Sequence, residues 1–155
     1  MKNKNGETFM EIERKYIITK KPELLSSYPC KSLCQAYLNT EPVIRIRKED
    51  DTYVLTYKSK GLMVREEYNL PLDKASFEHL LKKADGRIIT KDRFLIPYQT
   101  YTIELDVFKG DLAPLLLAEV EFPNTEEANQ FSPPDWFGEE VTLNPKFQNS
   151  YLSKK

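Results

Sequence analysis

Two cysteines, one histidine and five glycines are all that 155 residues contain of these types, and each shortage excludes a class of chemistry. Cys30, Cys34 and His79 cannot supply the four ligands of a tetrahedral zinc site within one chain. Two thiols build no disulfide framework and suit a reducing compartment. His79 lies in the amphipathic helical pattern of residues 77–83 and reads as a surface helix residue. With no second histidine, Ser-His or Cys-His nucleophilic catalysis has no recognisable setting. Neither G-x-x-x-x-G-K-[ST] nor G-x-G-x-x-G occurs, so both glycine-rich phosphate loops are missing. Long apolar runs are absent too: the stretch around Leu115–Ala118 falls far short of the roughly 18 residues of a membrane span. Residues 7–15 are charged where a secretory signal needs an apolar core, which points to the cytoplasm. Lys and Arg number 23 against 24 Asp and Glu. No sequence-wide positive field therefore exists to hold nucleic acid or an anionic membrane, and anion binding has to come from local arrangement. The length fits a single domain over residues 1–155, with 1–9 as a loose leader before Met10.

What the chain has is alternation. β-Branched and aromatic residues alternate with polar ones near 9–18, 34–39, 43–49, 53–59, 63–70, 87–96, 100–108 and 115–123, which predicts strands. Helical patterns fit 73–84 and, more weakly, 21–27, 125–131 and 146–153. The expected class is α+β, mostly β.

Successive strand side chains point to opposite faces, and here one face is repeatedly charged. Glu11, Glu13 and Lys15 oppose Ile12, Tyr16 and Ile18. Arg45 and Arg47 oppose Ile44 and Ile46, and Thr56 with Lys58 opposes Leu55 and Tyr57. Arg65, Glu67 and Asn69 share a face, as do Lys91 and Arg93. Glu104 with Asp106, and Glu119 with Glu121, are backed by aliphatic residues. A single such strand is a solvated sheet face. Six strands with paired charges, mostly of uniform sign, are different, because like charges at that spacing repel and add no stability. A sheet with its charges on one face and its apolar residues under helices is organised inside out, and if it curls into a barrel the charged face becomes a lumen.

That lumen would hold seven cations and seven acids. Buried charge must be paired, hydrogen-bonded or ligated, so segregation by strand suggests two subsites. Clustered carboxylates are hard oxygen ligands for Mg²⁺ or Mn²⁺. Clustered Arg and Lys suit phosphate oxygens. A linear polyphosphate with a divalent metal fits both halves.

Glu11-Ile12-Glu13-Arg14-Lys15 resembles the E-x-E-x-K signature of the CYTH domain, the triphosphate tunnel metalloenzymes. In order follow Gln35-Ala36-Tyr37-Leu38, Arg45-x-Arg47, Leu55-Thr56-x-Lys58 with Gly61, Arg65-x-Glu67, Lys91-x-Arg93, Glu104-x-Asp106, Ala118-Glu119-x-Glu121, residues 138–142 and Lys146-Phe147-x-Asn149. Each is similar to the family's successive motifs. Asn69 departs from it where many members continue an acidic alternation, and Phe147 where tyrosine is frequent.

The resemblance implies an eight-stranded antiparallel closed tunnel with helices outside, binding a triphosphate within. It implies metal ligation by Glu11, Glu13, Glu119 and Glu121, with Asp106 as a further candidate. Phosphate oxygens would be held by Lys15, Arg45, Arg47, Lys58, Lys91 and Arg93, with Arg65 and, at the tunnel mouth, Lys146. The chemistry implied is metal-assisted phosphoryl transfer to water, for which Glu11 and Glu119 serve the metal and Lys91 serves as base if its pKa is lowered. Compact bacterial members act on inorganic tripolyphosphate. A nucleoside triphosphatase, a class IV-type adenylate cyclase or a non-catalytic polyphosphate-binding module are the alternatives, and no histidine precedes Glu11 as the cyclases typically require. A monomer or a homodimer is expected.

Overall fold

In the computed structural model, residues 9–154 are described; the expected leader lies outside them except for Phe9, which opens the first strand. Eight strands, β1 (Phe9–Ile17), β2 (Cys30–Thr40), β3 (Val43–Glu49), β4 (Thr52–Lys58), β5 (Val64–Leu72), β6 (Asp85–Tyr98), β7 (Tyr101–Phe108) and β8 (Leu116–Glu121), form the sheet. It closes in the order β1-β5-β4-β3-β2-β6-β7-β8, antiparallel throughout. Closure removes every sheet edge and turns the charged face inward.

Three short helices accompany it: α1 (Lys74–Leu81), α2 (Thr125–Gln130) and α3 (Asn149–Leu152). The side chain of Asp73 caps α1 by accepting from Ser76 N at 2.6 Å, and Asn124 caps α2 through Glu127 N at 2.8 Å; each cap satisfies an orphan helix amide. The weak pattern at 21–27 becomes only a 3₁₀ turn over Leu25–Ser27, and 146–153 splits into a 3₁₀ turn at Pro145–Phe147 followed by α3.

Apolar residues pack outside the sheet on two sides. Phe77 of α1 covers Ala36 and Ile46. Phe122, Ala128 and Phe131 cover Ile12, Tyr16, Ile103, Leu105 and Val120. A third cluster lies at one end of the barrel, where Tyr37, Val43, Ile89, Phe108 and Leu117 pack with Val141, Phe147 and Leu152. By strand parity these five barrel residues point inward, so the lumen is stoppered there by apolar side chains.

The C-terminal segment completes that stopper. β1 pairs with β5 only over residues 9–12, and beyond that point residues 138–141 take the vacated side of β1: Gly138 N donates to Ile17 O, Ile17 N to Glu139 O and Val141 N to Lys15 O, at 2.8–2.9 Å. Gly138 is required because a Cβ there would sit 2.6 Å from Ile17 O. Arg14 locks the insertion with a fork onto Glu140 (2.6 and 2.8 Å) and a bond to Ala128 O at 2.8 Å.

Candidate active site

The parity reading holds in three dimensions. Glu11, Glu13, Lys15, Arg45, Arg47, Lys58, Arg65, Arg93, Glu119 and Glu121 all line one internal cavity, joined by Glu104, Tyr37 and residues 148–150. All of these ten charged residues except Glu121 are buried. Register explains the grouping: Glu13 lies opposite Glu121 and Lys15 opposite Glu119 across the β1–β8 pair, while Arg47 lies opposite Gln35 across β2–β3.

The charges are arranged in local pairs. Lys58 Nζ donates to both oxygens of Glu11 at 3.0 Å, and Arg65 Nη2 approaches Glu11 at 3.5 Å. Lys15 Nζ stands 3.6 Å from Glu119 and donates to Phe147 O at 3.0 Å. Arg93 forks onto Asp106 at 2.7 and 2.9 Å and reaches Glu104 at 3.2 Å.

Two carboxylates are driven in opposite directions. Burial first, then the charges of Glu11 and Glu119, push Glu13 well above the usual carboxylate range. Burial also opposes ionisation of Glu119, but Lys15, Arg93, Lys91 and Lys58 outweigh it and hold that acid well below the usual range. Lys58 and Lys15 offset only part of the burial and repulsion that raise Glu13, and a bound cation would relieve the remainder.

Two of the expected site residues stand apart from the cavity lining. Asp106 is wholly enclosed, and its oxygens already accept from Arg93 and Lys91. Lys146 is exposed on the 3₁₀ turn and does not line the cavity; its neighbours Gln148 and Asn149 reach the lumen in its place. Lys91 is also set back. Its Nζ lies 2.6 Å from Asp106, donates to Asn149 Oδ1 at 3.0 Å and rests 5.1 Å from the Phe108 ring. Burial, with Arg93 and Arg47, lowers its pKa to about 7 against the opposing pull of Asp106.

Gln35, Thr56 and Asn149 were not singled out as site residues from sequence. Gln35 and Thr56 are fully buried, and their alternation with Tyr37 and Lys58 is the signal that places them on the inner face. Asn149 carries no such signal, because the C-terminal segment has no strand period.

The ordered motifs along all eight strands match what a family comparison finds: the CYTH domain model matches residues 10–154. The chain belongs to the CYTH domain family. Among CYTH relatives, an inorganic triphosphatase of Nitrosomonas europaea is 39% identical over 149 residues, covering 92% of this chain and 96% of that one. Another from Acetivibrio thermocellus is 31% identical over 157 residues, covering 93% of each. The crystal structure of an inorganic triphosphatase superposes with a TM-score of 0.70 at 36% identity, covering 94% of this chain and 95% of that one.

CYTH tunnel enzymes are metal-dependent, and the residues here fit a divalent cation of the hard type. Oxygen donors from Glu11, Glu13, Glu119 and Glu121 gather on adjoining strands, and the charges of Glu11 and Glu119 add to the burial that raises Glu13. Among the described residues no three of them close into a preformed cage. Mg²⁺ sites of this kind use one or two carboxylates and complete the shell with substrate phosphate and water. Among the described residues no helix is long and apolar enough to cross a membrane.

Proposed function

We propose that the protein hydrolyses inorganic tripolyphosphate to pyrophosphate and phosphate, using Mg²⁺ or Mn²⁺ held by Glu11, Glu13, Glu119 and Glu121. The observation that carries this is the blind lumen itself, with acids on the β1–β8 wall and Arg45, Arg47, Lys58, Arg65 and Arg93 around the remainder. A linear chain of phosphates presents oxygens to both walls at once.

When bound, the metal neutralises phosphate charge and polarises the phosphoryl centre. The chain's own residues do the rest. Arg45, Arg47 and Arg93 fix the phosphate oxygens and stabilise charge as the bridging bond breaks. Lys15 and Lys58 hold Glu119 and Glu11 in place through their ion pairs. Lys91, with its pKa near 7, accepts the proton of the attacking water once Asn149 turns aside from it. The stopper excludes bulk water from the closed end.

The substrate is a small molecule, and the cytoplasm is the proposed compartment, where the unpaired thiols Cys30 and Cys34 stay reduced. Phosphorus NMR of the products tests the reaction. Equimolar phosphate and pyrophosphate from tripolyphosphate, with slower turnover of ATP and no cyclic AMP, is the expected pattern. Preferential turnover of ATP, or cyclic AMP formation, would replace it with the nucleotide readings.

A further inference from the structure

The motif at residues 138–142 has no part in the proposed reaction, yet it ends on a contact with a lumen residue. Where β5 leaves β1, the N–H of Lys15 faces the C-terminal segment. A regular antiparallel ladder would answer the bond from Val141 N to Lys15 O (2.8 Å) with one from Lys15 N to Val141 O. Here the Val141 carbonyl accepts from Asn144 N at 3.0 Å instead, and Lys15 N donates to Thr142 Oγ1 at 2.9 Å. A side-chain hydroxyl has taken the place of a backbone carbonyl.

That hydroxyl is itself oriented. Thr142 Oγ1 donates to Glu140 Oε2 at 2.6 Å, with Lys15 O farther off at 3.5 Å. Because an ionised carboxylate only accepts, the lone pairs of the hydroxyl are left for Lys15 N–H. Glu140 is fixed in turn by the fork of Arg14 at 2.6 and 2.8 Å. Arg14 and Lys15 are neighbours on opposite faces of β1, so an ion pair outside the barrel is linked through Thr142 to the backbone of a residue inside it. The turn closed by Asn144 N on Val141 O leads into the 3₁₀ turn Pro145–Phe147, and Phe147 O accepts from Lys15 Nζ at 3.0 Å. One segment therefore holds both the backbone and the ammonium of Lys15, with Glu119 at 3.6 Å from that ammonium.

We infer that Thr142 is a positioning residue for Lys15: anchored outside the barrel by Glu140 and Arg14, it sets where the Lys15 ammonium stands in the lumen. This rests on the tripolyphosphatase reading for the identity of the anion that the ammonium meets. A Thr142 that only stabilised the C-terminal segment would leave the ammonium where it is in the folded protein.

Tripolyphosphate binding to the full chain is measured calorimetrically in EDTA, at a temperature where thermal melts show each variant folded. Thr142→Val keeps the shape and removes the hydroxyl. It should weaken binding about fivefold or more, and Thr142→Ser should restore it. In a Lys15→Met background the same Thr142→Val change should cost almost nothing, because the group it acts through is gone. Glu140→Ala, at an exposed position, should follow the same pattern and decides the matter if Thr142→Val does not fold. Thr142→Val binding like the wild type, or losing as much with Lys15→Met as without it, overturns the inference. Nitrogen-resolved NMR of the ligand-free chain is the second readout: in Thr142→Val the Lys15 ammonium signal should move along with its amide. If the wild type binds no tripolyphosphate, the substrate reading fails and the spectra decide alone, an unmoved ammonium signal overturning the positioning role. A wild type that binds tripolyphosphate without hydrolysing it overturns the proposed reaction and leaves the role of Thr142 standing.

Discussion

The ammonium of Lys91 and the carboxylate of Asp106 meet at 2.6 Å with neither side chain exposed to solvent. The same carboxylate takes the fork of Arg93. One buried acid thus sets the position of two cations, and a metal ion there would have to displace both.

Asp106→Asn should therefore act first on stability. Removing one partner of a buried pair leaves the other uncompensated and costs about 3–5 kcal/mol, read by denaturant unfolding of the metal-free protein. A metal ligand would behave differently: the variant would need more Mg²⁺ for half-maximal turnover while unfolding at the wild-type denaturant concentration.

Lys91 carries the pH dependence. Burial depresses its pKa to about 7, so the amine is charged below that value and neutral above it. If the neutral amine takes the proton of the attacking water, turnover rises with pH through this range. Lys91→Arg, which cannot deprotonate, should flatten the rise and lower kcat by about 10²–10⁴-fold. A variant that keeps kcat and the pH profile while KM increases would assign Lys91 an electrostatic role only.

Glu13 trades stability for function. Its pKa lies above the usual range because of burial, Glu11 and Glu119, so the folded protein holds a proton there more tightly than the unfolded chain does. The associated stability is present at low pH and is lost as pH rises through the folded-state value. In EDTA at mildly alkaline pH, Glu13→Gln should melt at a higher temperature than the wild type, and it should lose metal-dependent turnover. A lower melting temperature would mean that the carboxylate is not under repulsion.

Asn149 holds the Lys91 amine at 3.0 Å. Asn149→Ala should open that contact and change turnover by about tenfold or less, with unfolding altered by about 1.5–3 kcal/mol, the ordinary worth of one hydrogen bond to a charged group. An unchanged rate would show that the contact does not gate Lys91.

Strand parity made the lumen legible from sequence because a period of two leaves each charged pair only one face to occupy. Glu119 and Glu121 could be assigned inward without any coordinates. Two things escaped that logic. Asp106 has the same parity as Glu104 and Glu119, yet depth along the barrel and the register Arg93↔Asp106 decide that it meets arginine; alternation carries no information on depth. The seal by residues 138–152 rests largely on backbone hydrogen bonds to β1 and on Asn149, which leave no periodic trace in the side chains. The extension of β2 back to Cys30 was missed for the same reason, since its first residues lack a clean apolar alternation.

The most direct measurement is the initial rate of phosphate release from tripolyphosphate, with Mg²⁺, with Mn²⁺ and with EDTA, for the wild type and for Glu119→Ala. A metal-dependent tripolyphosphatase built on the β1–β8 carboxylates releases phosphate with the metal, stops in EDTA and loses the activity in the variant. Release that persists in EDTA or in Glu119→Ala, or none from the wild type with either metal, would contradict it.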